Sequence, residues 1–443
     1  MTSSAPSELF VWTWLPGATE PVVAGRIAAD GPSLVFNYGR SYLQRKNAIS
    51  LHTSELPLEQ GELRPLDGLT MPGCLRDASP DAWGRRVILN HLFSETGDQA
   101  DTTKIDEMTY FLESGSDRIG ALDFQRSATV YLPRLAATTS LDELQTAAER
   151  VEQGMPLTPE LDRALHHGSS IGGARPKALI VDGVKKYIAK FSASGDLYPI
   201  VKAEFVAMRL AALAGLAVAP VKLVRSAHKH VLLVERFDRT TKGSNAWQRH
   251  AMISALTLLK LDEMMARYAS YEALAHIIRH EFIDPKPTLK ELFARLAFNI
   301  LSGNTDDHAR NHAALWDGKN LKLSPAYDLC PQPRAGGEAT QAMAINGQKR
   351  SSRISTCLDA AAIFLLPRIE AIAVIEGLIT RIGEHWAAVC TDAALGAADR
   401  NLLASRAFLS QYSFEGLEGD ATHLSQLGEQ MRRKIRNSSE IRK

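Results

Sequence analysis

Asn304-Thr305-Asp306-Asp307-His308-Ala309-Arg310-Asn311 (304–311), followed by Ala326-Tyr327-Asp328 (326–328), sets an Asp, an Asn five residues on and a second Asp along one stretch of chain. Before it, Leu292, Leu296 and Ile300 recur at helical spacing, and Gly303 is placed to stop that helix. The three polar residues therefore stand at the edges of predicted elements. Asp and Asn are also common turn formers, so the spacing alone fits two ordinary turns equally well.

The chemistry that needs these residue types in this order is phosphoryl transfer. One carboxylate accepts the proton of an attacking hydroxyl, while a carboxamide and a second carboxylate hold the magnesium ions that bridge nucleotide phosphates. Catalytic loops of protein kinases use the same Asp-to-Asn interval, although Asn304-Thr305 stands where they carry His-Arg. Further upstream lies the loop Ser169-Ser170-Ile171-Gly172-Gly173-Ala174-Arg175-Pro176-Lys177, with backbone freedom at its two glycines. Asp182-Gly183 then joins two apolar, β-prone segments, a hairpin signal. The second segment carries Lys190 inside an apolar run, where a Lys is unusual unless it is paired or reaches a ligand. Glu204 on the next predicted helix is a candidate partner. Plainer readings exist for each: a simple turn, an edge-strand Lys with its head in water, a solvent-facing Glu. Loop, strand Lys, helix Glu and Asp–Asn–Asp in kinase order argue jointly for a nucleotide site. The strand predicted at 231–234 runs into Glu235-Arg236-Phe237-Asp238-Arg239, whose backbone at 235–237 could read an adenine edge or simply end in a solvated, charged loop.

Outward from these segments the chain changes character. Residues 10–14 and 33–38 are apolar and β-rich, with Asp30-Gly31-Pro32 as a turn, and the first 130 or so residues are mostly strands. Residues 81–93 turn helical, with Trp83, Val87, Ile88 and His91 on one face. A connector at 133–139 precedes a helix opened by the capping-box pair Ser140 and Glu143. A helix is predicted over 202–213, ended by Gly215, and a strand pair at 221–224 and 231–234. From residue 247 the pattern is helical, notably over 252–261, 271–282, 290–301 and 360–389. Strands, then a mixed hairpin-and-helix unit, then a helical lobe predict an α+β fold.

At 443 residues the chain can bury a large core in at least two lobes. Apolar residues at 45% and charged residues at 23% are ordinary for a globular protein. With 51 basic and 50 acidic side chains, the net charge of +1 demands neither nucleic acid nor an anionic membrane as partner. Cys74, Cys330, Cys357 and Cys390 show no metal or CxxC spacing and are expected as free thiols in a reducing cytoplasm. No signal-peptide pattern opens the chain, and the most apolar run, 206–221, is broken by Arg209, Gly215 and Pro220. A cytoplasmic location without membrane contact is expected. His308 and His312 lie four apart without an evident third ligand, so no metal site is assigned to them.

The loop 170–177, the segment Val234-Glu235-Arg236-Phe237-Asp238-Arg239, residues 305–311 and Ala326-Tyr327-Asp328 together resemble the HipA family of toxin kinases. Ser79-Pro80-Asp81-Ala82-Trp83-Gly84-Arg85-Arg86 and Asp117-Arg118-Ile119-Gly120-Ala121 look like that family's amino-terminal subdomain, so the resemblance spans nearly the whole chain. It implies a protein-kinase-like, two-lobed fold with an extra strand-rich N-terminal subdomain at 1–135, a kinase N-lobe at 136–245 and a helical C-lobe at 246–443. It also implies ATP and Mg2+ as cofactors. Asp306 would be the catalytic base, Asn311 and Asp328 the magnesium ligands, Lys190 a phosphate contact, and Glu235 and Phe237 the adenine lining. Ser170, Ile171, Gly172, Gly173, Ala174 and His308 would join the ATP-contacting set. Ser170, or its neighbour Ser169, would be self-phosphorylated, adding roughly −1.5 to −2 charges that eject the loop from the ATP site. Gly172, Arg175 and Pro176 depart from residues found in other members.

In function the resemblance implies a serine/threonine protein kinase, the toxin of a toxin–antitoxin pair. An aminoacyl-tRNA synthetase would be a target, a HipB-like helix-turn-helix antitoxin a partner, and DNA would be reached mainly through that antitoxin. Two other readings are a catalytically weak kinase-like co-repressor and a small-molecule kinase sharing the Asp–Asn–Asp logic.

Overall fold

Asp30 pairs with Ser33 across a two-residue turn in which Gly31 sits at φ +59°, the left-handed region that glycine enters without steric cost. The computed structural model describes residues 6–96, 105–136, 139–166, 171–226, 229–243 and 246–439. Ser169 and Ser170 lie outside the described residues. The chain divides into two compact units: Met1–Asp196 with Val224–Ile253 and Leu315–Lys319, and Leu197–Leu223 with Ser254–Ala314 and Asn320–Lys443.

In the first unit β1 (Glu8–Thr13), β2 (Val22–Asp30), β3 (Ser33–Tyr38), β4 (Glu62–Leu63) and β5 (Leu122–Gln125) form a sheet in the order β4-β3-β2-β1-β5. Helix α1 (Ala82–Thr96) buries Trp83, Val87 and Ile88 completely, the face its periodicity marks. In α2 (Leu141–Glu152) the predicted capping box forms: Ser140 accepts from the Glu143 amide, and the Glu143 carboxylate accepts from the Ser140 amide. Thr158 caps α3 (Pro159–Leu165), which opens on Pro159 where a missing N–H costs nothing. The expected hairpin is β6 (Lys177–Asp182) and β7 (Lys185–Lys190), with Gly183 at φ +60°. β8 (Val221–Ser226) and β9 (Lys229–Glu235) complete a sheet ordered β6-β7-β9-β8, and the division between the units falls within β8. Tyr187, Ala189 and Phe191 of this hairpin pack with Trp83, Leu144, Val151 and Leu165 into one buried cluster.

The second unit is mainly helical. Helix α4 (Ile200–Leu213) is buried along most of its length and packs on α7 (Arg368–Asp392), which also carries α8 (Thr422–Ser439). Between α4 and α7 in chain order come α5 (Tyr271–Glu281) and α6 (Pro285–Ser302), which pack on each other. The helix expected over 252–261 is shorter: Ala251–Ser254 is a strand, Ser254 caps a single turn at Ala255–Leu258, and Lys260 at φ +57° ends it. The pattern at 360–389 is likewise broken, by Leu365 at φ +56° and then Pro367, so the long helix starts at Arg368.

The compact units also differ from the expected divisions at 135 and 245. Long-range bonds tie the first 135 residues to the β6–β7 hairpin; the Trp83 indole, for one, donates to the Lys177 carbonyl at 2.9 Å. Helix α4 joins the second unit because its apolar surface needs the cover α7 gives. The four cysteines are free, as expected, and all but Cys330 are buried. Burial pushes the Cys390 thiol up to about 12, leaving no thiolate at neutral pH. No helix among the described residues is long and apolar enough to cross a membrane.

Candidate active site

In the second unit α6 stops at Gly303, at φ +70°, where a Cβ would lie 2.8 Å from the Ala407 carbonyl oxygen; only glycine fits. The Asn304 amide then donates back to the Asn299 carbonyl at 2.9 Å, and their side-chain amides bond at 3.0 Å. The Asp306-Asp307 doublet splits. Asp307 is buried, while Asp306 is exposed. The Tyr271 hydroxyl donates to the Asp307 carboxylate, and His312 Nε2 lies 3.0 Å from it. Burial alone would raise the Asp307 carboxyl, but His312 and the Tyr271 hydroxyl hold it below its ordinary value. Burial, together with this neighbouring carboxylate, pushes Tyr271 far up. Asp307 is thus an anchor, and Asp306 is carried at the surface beside it.

The five-residue interval has a local cause. A 3-10 turn at Ala309–Asn311 brings the chain round, with the Asn311 amide on the His308 carbonyl at 2.8 Å. Asn311 Nδ2 then donates to the Asp306 carbonyl at 3.4 Å. That commits the donor end of the carboxamide to the loop, so a cation would meet its oxygen end. The Tyr327 hydroxyl donates to the Arg310 carbonyl at 2.7 Å, tying the residue before Asp328 to the residue before Asn311. Ala326 is fixed by two parallel-bridge bonds, its amide to Ala217 O at 2.7 Å and the Ala219 amide to Ala326 O at 2.9 Å. Asp328 itself sits at φ +59°, a region that the short side chain of Asp tolerates. The segment ending at Asp328 is thereby tied to the loop that carries Asp306, His308 and Asn311 within this unit.

Two residues the sequence reading passed over brace this arrangement. Arg295, 2% exposed on α6, donates to the Ser324 carbonyl at 2.8 Å and to Glu291 at 2.8 Å. Glu291 in turn accepts from the Ala217 amide at 3.1 Å. The legible signal is a Glu–Arg pair four apart beside the apolar positions Leu292, Leu296 and Ile300 of the helix.

In the first unit the glycine loop is described from Ile171, which is fully buried. The Gly173 amide donates to the Asp81 carboxylate at the start of α1, and the Trp83 amide donates to the Gly173 carbonyl at 3.1 Å. Lys177 Nζ donates to the Gly172 carbonyl at 2.6 Å. Gly173 lies at φ +105°, and a Cβ there would meet Lys177 Nζ at 2.2 Å. The part of the glycine loop around Gly172 and Gly173 is therefore pinned by Asp81, Trp83 and Lys177, and Ala174 is exposed.

Lys190 closes β7, paired with Lys177 on one side and Leu232 on the other. Because Tyr187, Ala189 and Phe191 face the helices, alternation puts Lys190 on the opposite face of the sheet, half-buried. Glu204 is buried on α4 of the second unit. At the end of β9 the Glu235 carboxylate pairs with Lys185 at 2.6 Å, and Phe237 is half-buried. The Arg236 amide is committed to the Lys186 carbonyl at 2.8 Å.

The segment after β9 is held by a buried charge network that unites two of the quoted motifs. Asp117 meets Lys186 at 2.5 Å, Arg236 at 3.2 Å and Arg239 at 3.0 Å. Asp238 meets Arg236 at 2.8 Å and Arg239 at 2.9 Å, and accepts from the Gly120 amide at 2.8 Å. Burial works against Asp238, yet Arg236 and Arg239 hold its carboxyl down at about 2. Burial pulls Arg239 down to about 10, still fully charged near neutrality. A buried pair of this kind is costly to break because the partner left behind stays charged.

Comparison with known proteins follows this geometry. Residues 18–125 match the family model described as the HipA N-terminal domain, and residues 169–386 match the HipA-like C-terminal domain. Y4mE of Sinorhizobium fredii, provisionally named a kinase, is 25% identical over 324 residues, 66% of this chain and 71% of its own length. The serine/threonine-protein kinase toxin HipA of Shewanella oneidensis is 24% identical over 186 residues, 36% of this chain and 42% of its own. A solved Shewanella oneidensis complex of HipA, HipB and operator DNA contains a chain that superposes with a TM-score of 0.64 at 19% identity, covering 98% of this chain and 96% of that one. The likeness establishes the α+β, kinase-like fold with its added strand-rich N-terminal part.

Proposed function

This chain belongs to the HipA family, and from that premise we propose that it is an ATP-dependent serine/threonine protein kinase acting as the toxin of a toxin–antitoxin pair. What carries the proposal is the pair of bonds from Asn311 Nδ2 to the Asp306 carbonyl and from the Tyr327 hydroxyl to the Arg310 carbonyl. They tie the stretch that carries Asp306 and Asn311 to the one that carries Asp328, and two carboxylates with a carboxamide are an oxygen set that suits magnesium.

In this reading Asp306 accepts the proton of the attacking hydroxyl; its exposure lets a protein side chain reach it. Asn311 and Asp328 present oxygens to Mg2+, which when bound neutralises charge on the nucleotide phosphates. The family resemblance assigns Lys190 to a phosphate, and Ile171, Gly172, Gly173, Ala174, Glu235, Phe237 and His308 to contacts with the nucleotide. Asp307 keeps Asp306 in place by being buried and bonded. The acceptor is a serine or threonine of another protein, with an aminoacyl-tRNA synthetase as the class to try first. The chain also modifies its own Ser170 or Ser169. A HipB-like antitoxin partners it, as HipB partners HipA in the Shewanella complex, and DNA is reached through that antitoxin; a net charge of +1 gives little independent pull on nucleic acid.

Incubation with γ-labelled ATP and Mg2+ tests the reading. Label should enter protein in the parent and be absent in Asp306→Ala. Equal labelling of the variant would remove Asp306 as base, and no labelling of any protein by the parent would remove the kinase. A second reading, a kinase-like co-repressor with little catalysis, draws on one observation: the Gly173 amide, which could otherwise meet a phosphate, is engaged by Asp81. Under that reading Asp81→Asn would gain transfer activity over the parent.

A further inference from the structure

A second group of chemistry-bearing side chains lies in the first unit, among residues the kinase reading leaves unused. Asp162 and His166 are four apart at the end of α3, so they share one helix face. His91 comes from α1, one turn beyond the buried Val87. His91 Nδ1 lies 2.9 Å from Asp162 Oδ2, and the two imidazole rings stand 4.1 Å apart, centroid to centroid. One ligand atom from each of the three residues lies within 4.8 Å of the others.

From this arrangement we infer that His91, Asp162 and His166 form a binding site for a divalent transition-metal ion of the zinc class. Two imidazoles and one carboxylate are the donor set zinc accepts with a water as fourth ligand, whereas magnesium prefers oxygens throughout. Bonds of about 2.0–2.2 Å around a tetrahedral ion put ligand atoms roughly 3.3–3.6 Å apart. With one pair at 2.9 Å and all ligand atoms within 4.8 Å, closure needs adjustments of order 1 Å or so, within reach of side-chain rotation. Helical i, i+4 spacing sets two ligands on one rigid face, and the third arrives from a neighbouring rigid helix. The apolar packing of Leu161, Ala164, Leu165 and Val87 beside them walls off one side. His166 is 5% exposed, and the side chains of His91 and Asp162 are 24% and 21% exposed, so a path for an ion remains.

The placement gives the ion a structural task. His166 stands three residues before Ser169, and Gly173 beyond that serine pair is bonded to Asp81 and Trp83 at the start of α1. A metal on His91 would fasten the near end of the same loop to the same helix. The site does not depend on the kinase reading.

The test uses the full chain freed of metal by chelator, titrated with Zn2+ by calorimetry and with Co2+ by visible absorption. One ion per chain should bind saturably, Co2+ should give the intense bands of a four-coordinate site, and Zn2+ should raise the unfolding midpoint. His91→Gln and Asp162→Asn, at partly exposed positions, should each weaken binding by at least about tenfold, while Asp328→Asn should leave it unaltered. Absence of saturable binding, binding indifferent to His91→Gln and Asp162→Asn, or binding lost in Asp328→Asn would each overturn the site. The readout involves no ATP, so its failure is separate from any failure of phosphoryl transfer.

Discussion

The neighbouring aspartates 306 and 307 should give opposite phenotypes when each is changed to alanine. Asp307 is buried and accepts from Tyr271 and His312. Its removal leaves a phenol and an imidazole facing a void, each unmade bond costing about 1–3 kcal/mol. The two lost bonds together cost about 2–6 kcal/mol. For a unit of this size that corresponds to a fall in unfolding midpoint of roughly 4–24 °C at about 2–4 °C per kcal/mol. Asp306 is exposed, so Asp306→Ala should stay within about 0.5 kcal/mol of the parent while abolishing transfer. Thermal melts at pH 7 followed by circular dichroism read both. The sign of the pH effect is fixed as well. The Asp307 carboxyl is held below its ordinary value, so its contribution is complete above pH ~4 and fades as pH falls through the depressed value. The gap between parent and Asp307→Asn should therefore close on acidification. A midpoint for Asp307→Ala within about 2 °C of the parent, or an equal loss for Asp306→Ala, would refute the division of labour.

Other consequences are as direct. Gly173→Ala puts a Cβ 2.2 Å from Lys177 Nζ at a φ of +105°, so the loop must move; ATP affinity measured by calorimetry should fall, with a strain of about 1–3 kcal/mol to absorb. Tyr327→Phe removes the bond to the Arg310 carbonyl. It should cost about 1 kcal/mol of local order and lower kcat several-fold in a transfer assay, leaving the melt almost unchanged. Asp238 is held at about 2 against an ordinary 3.8, which supplies on the order of 2 kcal/mol above pH 4 and loses it as pH drops toward 2. Urea titrations across that window should show a shallower acid slope for Asp238→Asn than for the parent.

Local features of the fold were legible because their causes are local. The hairpin turn at Asp182-Gly183, the Ser140–Glu143 box and the stop at Gly303 each follow from backbone preferences within a few residues. The Asp306-to-Asn311 interval was legible for the same reason: the amide of one reaches the carbonyl of the other across a single turn. What periodicity could not supply was partner choice over long separations. Asp81 finds Gly173 92 residues away, and Arg236 finds Asp117 across 119. The quoted motifs around Asp117 and Asp238 marked both halves of that network without indicating that they meet. Burial separated Asp306 from Asp307, and two identical side chains in sequence carry no sign of that. At 251–254 the apolar pattern was too short to tell strand from helix until the Ser254 cap set the boundary.

The most direct measurement of the central claim is single-turnover phosphate transfer at saturating Mg2+ and ATP in Asp306→Asn, with ATP affinity measured on the same protein. Transfer should fall by about a hundredfold or more, the scale of a lost general base, while affinity stays near the parental value. Parental transfer, or a loss of affinity large enough to account for the whole effect, would contradict a catalytic role for Asp306.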